Sequence, residues 1–180
     1  MKKIIGFIVA GLLGMLAVQS QAQPIPLGVK IGPNFSRLQF DPGFDRDGKL
    51  GFHMGVLSKF ELAEDLYFQP EVLLSLQGND RVNSTNLILP LLINYEVIDQ
   101  FSLHLGVQPG ILVGAEEDFR DITKVFDLGV PFGLEYHPKK ELSVGVRYVP
   151  GVSNINDINS DQFKTFNRVV QFFVAYWIRY

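Results

Sequence analysis

A chain of 180 residues with 47% hydrophobic and 19% charged residues is long enough to build one domain around a core. Fifteen Phe, a single Trp and 17 Gly exclude a disordered tail, a collagen and a coiled coil. The net charge of −3 gives no reason for a nucleic-acid partner, and the absence of Cys excludes disulfides, thiolate chemistry and the lipid-bearing Cys of a bacterial lipoprotein.

The first element is an address. Met1-Lys2-Lys3 is a short positive start, Ile4 to Val18 is uncharged and mostly apolar, and Ser20 and Ala22 are the small residues a signal peptidase needs. This pattern predicts a secretory signal peptide over 1–22, removed after Ala22, followed by one domain over 23–180. Removal leaves 158 residues with a charge of −5, because two of the 16 Lys and Arg and none of the 19 Asp and Glu are lost. No later stretch has the eighteen or so uninterrupted apolar residues of a spanning helix. An exported chain of this kind can enter a membrane only as strands.

From Gln23 onward apolar residues recur at every second position, which is strand periodicity. Eight segments are predicted over 26–36, 49–60, 66–77, 86–96, 101–113, 125–136, 142–152 and 168–180. Globular strands average five or six residues, whereas a tilted membrane strand needs about 9 to 11. One face of the segments is apolar throughout, as in Leu27, Val29 and Ile31, in Leu103, Leu105 and Val107, and in Phe172, Val174 and Tyr176. Arg168 alone puts a charge on it. The other face carries glycines and polar groups, among them Lys30, Asn34, His53, Glu71, His104, Glu135 and Arg147. The expectation is an all-β, eight-stranded antiparallel up-and-down barrel of the bacterial outer membrane, with lipid against the apolar face.

The connections agree. Short turns such as Glu61 to Asp65, Val97 to Gln100 and His137 to Lys140 alternate with long polar loops such as Arg37 to Gly48 and Ser153 to Phe166. Short periplasmic turns and long outer loops are the asymmetry of an outer-membrane barrel. Tyr180, preceded at every second position by Ile178, Tyr176, Val174 and Phe172, resembles the C-terminal signal read by barrel-assembly machinery. Pro33, Pro70, Pro90, Pro109, Pro131 and Pro150 oppose the assignment, since each removes a ladder donor. Bulges, irregular pairing or earlier strand ends are expected there.

Gln69-Pro70-Glu71, Ile88-Leu89-Pro90-Leu91 with Asn94-Tyr95, and Arg147-Tyr148 leading to Gly151-Val152-Ser153-Asn154 resemble motifs of the PorT-type outer-membrane β-barrel family. The resemblance covers essentially the whole mature chain. It implies a small eight-stranded bacterial barrel in a family named after a member needed for protein secretion. Ending in Tyr rather than Phe, and carrying Pro131 and Pro150 inside strands, depart from that pattern.

Eight strands leave a lumen that side chains fill. Lys30, Lys49, Lys59, Arg147 and Arg179 face Glu71, Glu96, Asp127 and Glu135 in the predicted interior, nearly balanced as buried charges must be. Glu71 and Arg147 are expected to join an interior ionic network with Lys30 or Glu135. His53 and His104 are expected in the lumen and His137 in a periplasmic turn, so no catalytic residue, cofactor or metal is predicted. Asp41, Asp45 and Asp47 with Gly48 match a calcium loop incompletely, and Glu116, Glu117, Asp118 and Asp121 read as solvated loop surface. The expected role is non-enzymatic: a structural barrel, or an accessory of a secretion or assembly complex. Its expected partners are membrane lipid, lipopolysaccharide and a protein of that complex. A narrow channel or small-solute transporter is the first alternative and a soluble lipocalin-like carrier the second; the carrier would need the opposite arrangement of faces.

Overall fold

The computed structural model describes residues 26–41, 44–45, 48–78, 83–115, 124–155 and 164–179. The predicted signal peptide, most of the acidic loop residues and the terminal Tyr180 lie outside them. Twelve strands form one antiparallel sheet: β1 (Leu27–Asp41), β2 (Phe44–Asp45), β3 (Lys49–Ser58), β4 (Phe60–Ala63), β5 (Leu66–Gly78) and β6 (Asn83–Ile88). They continue as β7 (Leu91–Ile98), β8 (Phe101–Ala115), β9 (Phe126–Gly129), β10 (Phe132–Lys139), β11 (Leu142–Pro150) and β12 (Lys164–Arg179).

Three spanning strands are each interrupted once, at Lys59 between β3 and β4, at Leu89-Pro90 between β6 and β7, and at Val130-Pro131 between β9 and β10. Counted through those interruptions, eight strands follow one another in chain order, and β1 pairs with β12 to close the ring. β2 is a short piece paired to β1 beyond the ring. The strands run further than periodicity predicts at the long-loop end: β1 continues to Asp41 and β12 begins at Lys164, and the two stay paired there. In that region the alternation inverts, with apolar Leu38 buried and the charged Arg37 and Arg168 exposed.

The wall separates the two faces as the alternation predicts. On β8, Leu105 is 58% exposed to the surroundings while the adjacent His104 is 2% exposed toward the lumen. Exposed Leu, Ile, Val, Phe and Tyr cover the outside from Leu27 and Val29 on β1 to Tyr176 and Ile178 on β12. Only an apolar solvent tolerates such a surface, because in water it would be one continuous sticky patch.

Glu64-Asp65, Asp99-Gln100 and Lys140-Glu141 form the short turns. Asp65 has φ of 60°, a left-handed conformation that a short polar side chain accepts. Register shifts lie beside all three turns, at Glu61/Ala63, Glu96/Ile98 and Tyr136/Lys139. His137 belongs to β10 rather than to a turn, a correction to the expectation, and its Nε2 lies 3.0 Å from the Ser102 hydroxyl.

The prolines do not produce bulges. Pro90 and Pro131 sit in strand interruptions and Pro150 ends β11, whereas Pro33, Pro70 and Pro109 stay inside strands. At Pro33 the β1–β12 ladder lapses for two residues and resumes in the same register, from Ile31↔Val174 to Asn34↔Gln171. Four of the prolines form a diagonal in which each carbonyl still accepts from the neighbouring strand: Glu71 N–H to Pro90, Leu89 to Pro109, Gly106 to Pro131 and Val130 to Pro150. Each proline forfeits only the reciprocal bond, so the wall stays paired.

Candidate site in the barrel lumen

Inward residues of β1, β5, β7, β8 and β11 meet near mid-barrel because neighbouring strands bring them level. The centre is the Glu71 carboxylate on β5, 1% exposed. Arg147 on β11 donates to it with both terminal nitrogens, Nη1 to Oε2 at 2.9 Å and Nη2 to Oε1 at 2.8 Å. Lys30 on β1 donates to Oε1 at 2.5 Å, and Gln69 Nε2 at 2.8 Å. Asn94 on β7 donates to Gln69 Oε1 at 3.1 Å. A carboxylate with a paired guanidinium fork and an ammonium is the arrangement that makes a buried charge tolerable.

Arg147 Nε donates to His104 Nε2 at 3.0 Å. A neutral histidine accepting at Nε2 carries its proton on Nδ1, which lies 4.0 Å from Glu135 Oε2. Glu135, also 1% exposed, makes no hydrogen bond among the described residues. Of the four predicted site residues, the structure thus brings Glu71, Arg147 and Lys30 into direct contact, and leaves Glu135 one histidine away. Two cations on Glu71 leave a local positive excess that the Glu135 carboxylate balances at longer range.

Residues that the sequence reading passed over complete the layer. The Phe173 ring lies 3.9 Å from Lys30 Nζ and 5.4 Å from the Arg147 guanidinium carbon, so both cations rest on its face. Gly145 makes room for it: a Cβ there would stand 2.4 Å from the ring. Leu57, Ala175 and Trp177 form an apolar cluster over Gly28, and Leu73 and Leu92 also point inward. The interior is therefore not uniformly polar, as the glycine-and-charge pattern implies. The parity that places Lys30 and Arg147 inside also places Phe173 and Trp177 there.

Of the other predicted interior charges, Lys59 donates to Glu96 at 2.6 Å near the short-turn end. Lys49 donates to Asn83, and Asp127 accepts from the Ser153 hydroxyl at 2.6 Å. The side chains of Arg179 and Asp45 lie outside what is described, as do the residues Asp47, Glu116, Glu117, Asp118 and Asp121. Among the described residues no three His, Asp or Glu come together as a metal cluster.

Comparison with known proteins agrees with this geometry. Residues 19–157 match the family model described as outer membrane protein beta-barrel domain, and the chain belongs to that family. It is accordingly a β-barrel protein of the bacterial outer membrane. Among solved structures, Neisserial surface protein A superposes with a TM-score of 0.57 at 11% identity, over 83% of this chain and 96% of that one. Ail, the attachment invasion locus protein of Yersinia pestis, gives 0.49 at 15% identity over 86% and 99%. OprG of Pseudomonas aeruginosa gives 0.45 at 12% over 89% and 99%. The likeness to the first is one of fold. The comparison with curated proteins gives no match.

Proposed function

We propose that this protein is a non-enzymatic outer-membrane barrel with a side-chain-filled lumen, acting as an accessory subunit of a secretion or assembly complex that it meets through its outer loops or its wall. The observation that carries the closed lumen is the Lys30–Glu71–Arg147 layer, which draws three strands together across the barrel axis. An eight-stranded barrel is only wide enough for such side chains. The accessory role rests on the resemblance of Gln69-Pro70-Glu71, the Ile88 to Tyr95 segment and the Arg147 to Asn154 segment to PorT-type proteins.

Affinity purification of the full chain from gently solubilised outer membranes tests the role. Recovery of secretion or assembly components in fixed proportion supports it, and a lone barrel counts against it. Small-solute passage is the second reading. It is favoured by buried polar atoms of His53, Gln171, Ser143 and Glu135 that no described group satisfies, a composition suited to a wetted lumen. Planar-bilayer recording separates the two: the filled lumen predicts no stable open state, and a sustained conductance selects the channel.

A further inference from the structure

The long-loop half of the lumen carries one carboxylate without a counter-charge, Asp127 of β9. Its Oδ1 accepts from the Ser153 hydroxyl at 2.6 Å, and its Oδ2 accepts from Asn167 Nδ2 at a long 3.5 Å. No cation pairs with it among the described residues, and Lys124, though it lines a cavity beside Asp127, makes no ion pair there either. Lys30 and Arg147 are committed to Glu71. Arg147 is level with Gln171, two inward steps along β12 from Asn167.

Two small cavities meet at this carboxylate. One, of about 20 Å³, lies between Asp127, Gln77, Asn86, Gln108 and Asn167. The bare backbone of Gly110, the cross-strand partner of Asp127, helps to leave it open. The other, of about 30 Å³, shares Gln77, Asn86, Asp127 and Asn167 and lies toward the long loops. Each has room for about one or two water-sized species, which excludes a sugar, a nucleotide or a lipid head group. Gln108 stands one inward step from Gly110 along β8 and is 6% exposed. Its Oε1 has no donor among the described residues. Gln77 Oε1 is held beside the same cavity by Asn167 Nδ2 at 2.8 Å.

An unsatisfied carbonyl oxygen beside an unneutralised carboxylate calls for a positive group that takes lone pairs. A donor set made only of carboxylate and amide oxygens is that of a hard cation. One carboxylate with a lysine nearby matches a single positive charge, and a divalent ion would leave an excess in a poorly solvated place. We propose that Asp127, Gln108 and Gln77 hold an alkali-metal cation in the outer half of the lumen. The ion ties β5, β8 and β9 together on the long-loop side of the ionic layer, and it needs no passage through the barrel. A cluster of His, Asp and Glu does not mark such a site, because Gln77 and Gln108 are neutral amides.

The test uses the purified barrel in detergent, with the temperature of unfolding read from heat-dependent gel mobility. Sodium chloride is compared with tetramethylammonium chloride at the same ionic strength, since the larger ion does not fit either cavity. Sodium raises the unfolding temperature of the native protein, and the rise follows the logarithm of its concentration once the site fills. Asp127→Asn, which keeps an acceptor for Ser153, loses this response and in tetramethylammonium unfolds no earlier than the native protein. Gln108→Leu, the variant to use should the first fail to fold, weakens the apparent sodium affinity several-fold. Asp99→Asn, in a short turn, leaves it unchanged. Equal unfolding temperatures in the two salts, a native sodium response in Asp127→Asn, or saturation by calcium chloride at lower concentration than by sodium chloride would each overturn the proposal.

Discussion

The lumen is filled by opposite chemistry at adjacent levels. Beside Gly28 it is closed by Leu57, Ala175 and Trp177; one inward step along β1, at Lys30, the space is taken by Glu71, Arg147 and the Phe173 ring. In a soluble protein the hydrophobic effect would sort these residues, burying the first set and exposing the second. With hydrocarbon outside the barrel, the interior accepts either kind, and what distinguishes them is tolerance. The aliphatic side chains of the first layer, Leu57 and Ala175, need only volume. The ionic layer needs every partner at once, because a buried charge stripped of its counter-charge is far costlier than a small void.

That contrast is open to attack, beginning with the carboxylate. Glu71→Ala leaves Lys30 and Arg147 buried without their shared acceptor and is expected to cost about 3–5 kcal/mol, measured by urea unfolding of the barrel in micelles. Replacing Lys30, Glu71 and Arg147 together by Met, Leu and Met should recover most of that loss, since removing all the charges removes the reason for the penalty. Leu57→Ala in the apolar layer should cost about 2–4 kcal/mol by the same assay, with no rescue to be had from a neighbouring charge.

Gly32→Ala tests the wall one inward step beyond the ionic layer. A Cβ there would stand 1.9 Å from the Phe172 carbonyl oxygen, so β1 and β12 must part, at about 1–3 kcal/mol, with faster hydrogen exchange expected along that seam. The smallest effect has the opposite sign. Gly106 already donates to the Pro131 carbonyl, so Pro131→Ala restores the missing reciprocal donor and should stabilise by about 0.5–1 kcal/mol.

The sequence carried the barrel well because lipid enforces period two on every strand, and His104 beside Leu105 is that rule in two residues. It carried Glu71, Arg147 and Lys30 because charges on an otherwise apolar strand stand out. Phe173 and Trp177 were invisible for the complementary reason: an inward aromatic in a run such as Phe172 to Ile178 looks like its outward neighbours, and only parity counted from Gln171 separates them. Glu135 shares a face with Glu71, yet the tilt between β5 and β10 puts His104 between it and the cations, an offset that no single strand encodes. The prolines were legible as breaks in pairing, but their diagonal across β6 to β11 depends on inter-strand register. Arg168 was conspicuous alone; its pairing with Arg37 needed the closure of the ring, which joins the two ends of the chain.

The sidedness of the wall underlies every one of these claims, and the single tryptophan reports on it without any substitution. Trp177 is 2% exposed and faces the lumen, between the outward-facing Tyr176 and Ile178. In vesicles of phospholipid brominated on its acyl chains, its emission should match that in unbrominated vesicles. A tryptophan introduced as Leu105→Trp, in a Trp177→Phe background, should be strongly quenched. Quenching of native Trp177 as deep as that of the Leu105→Trp reporter would turn the barrel inside out and contradict the account.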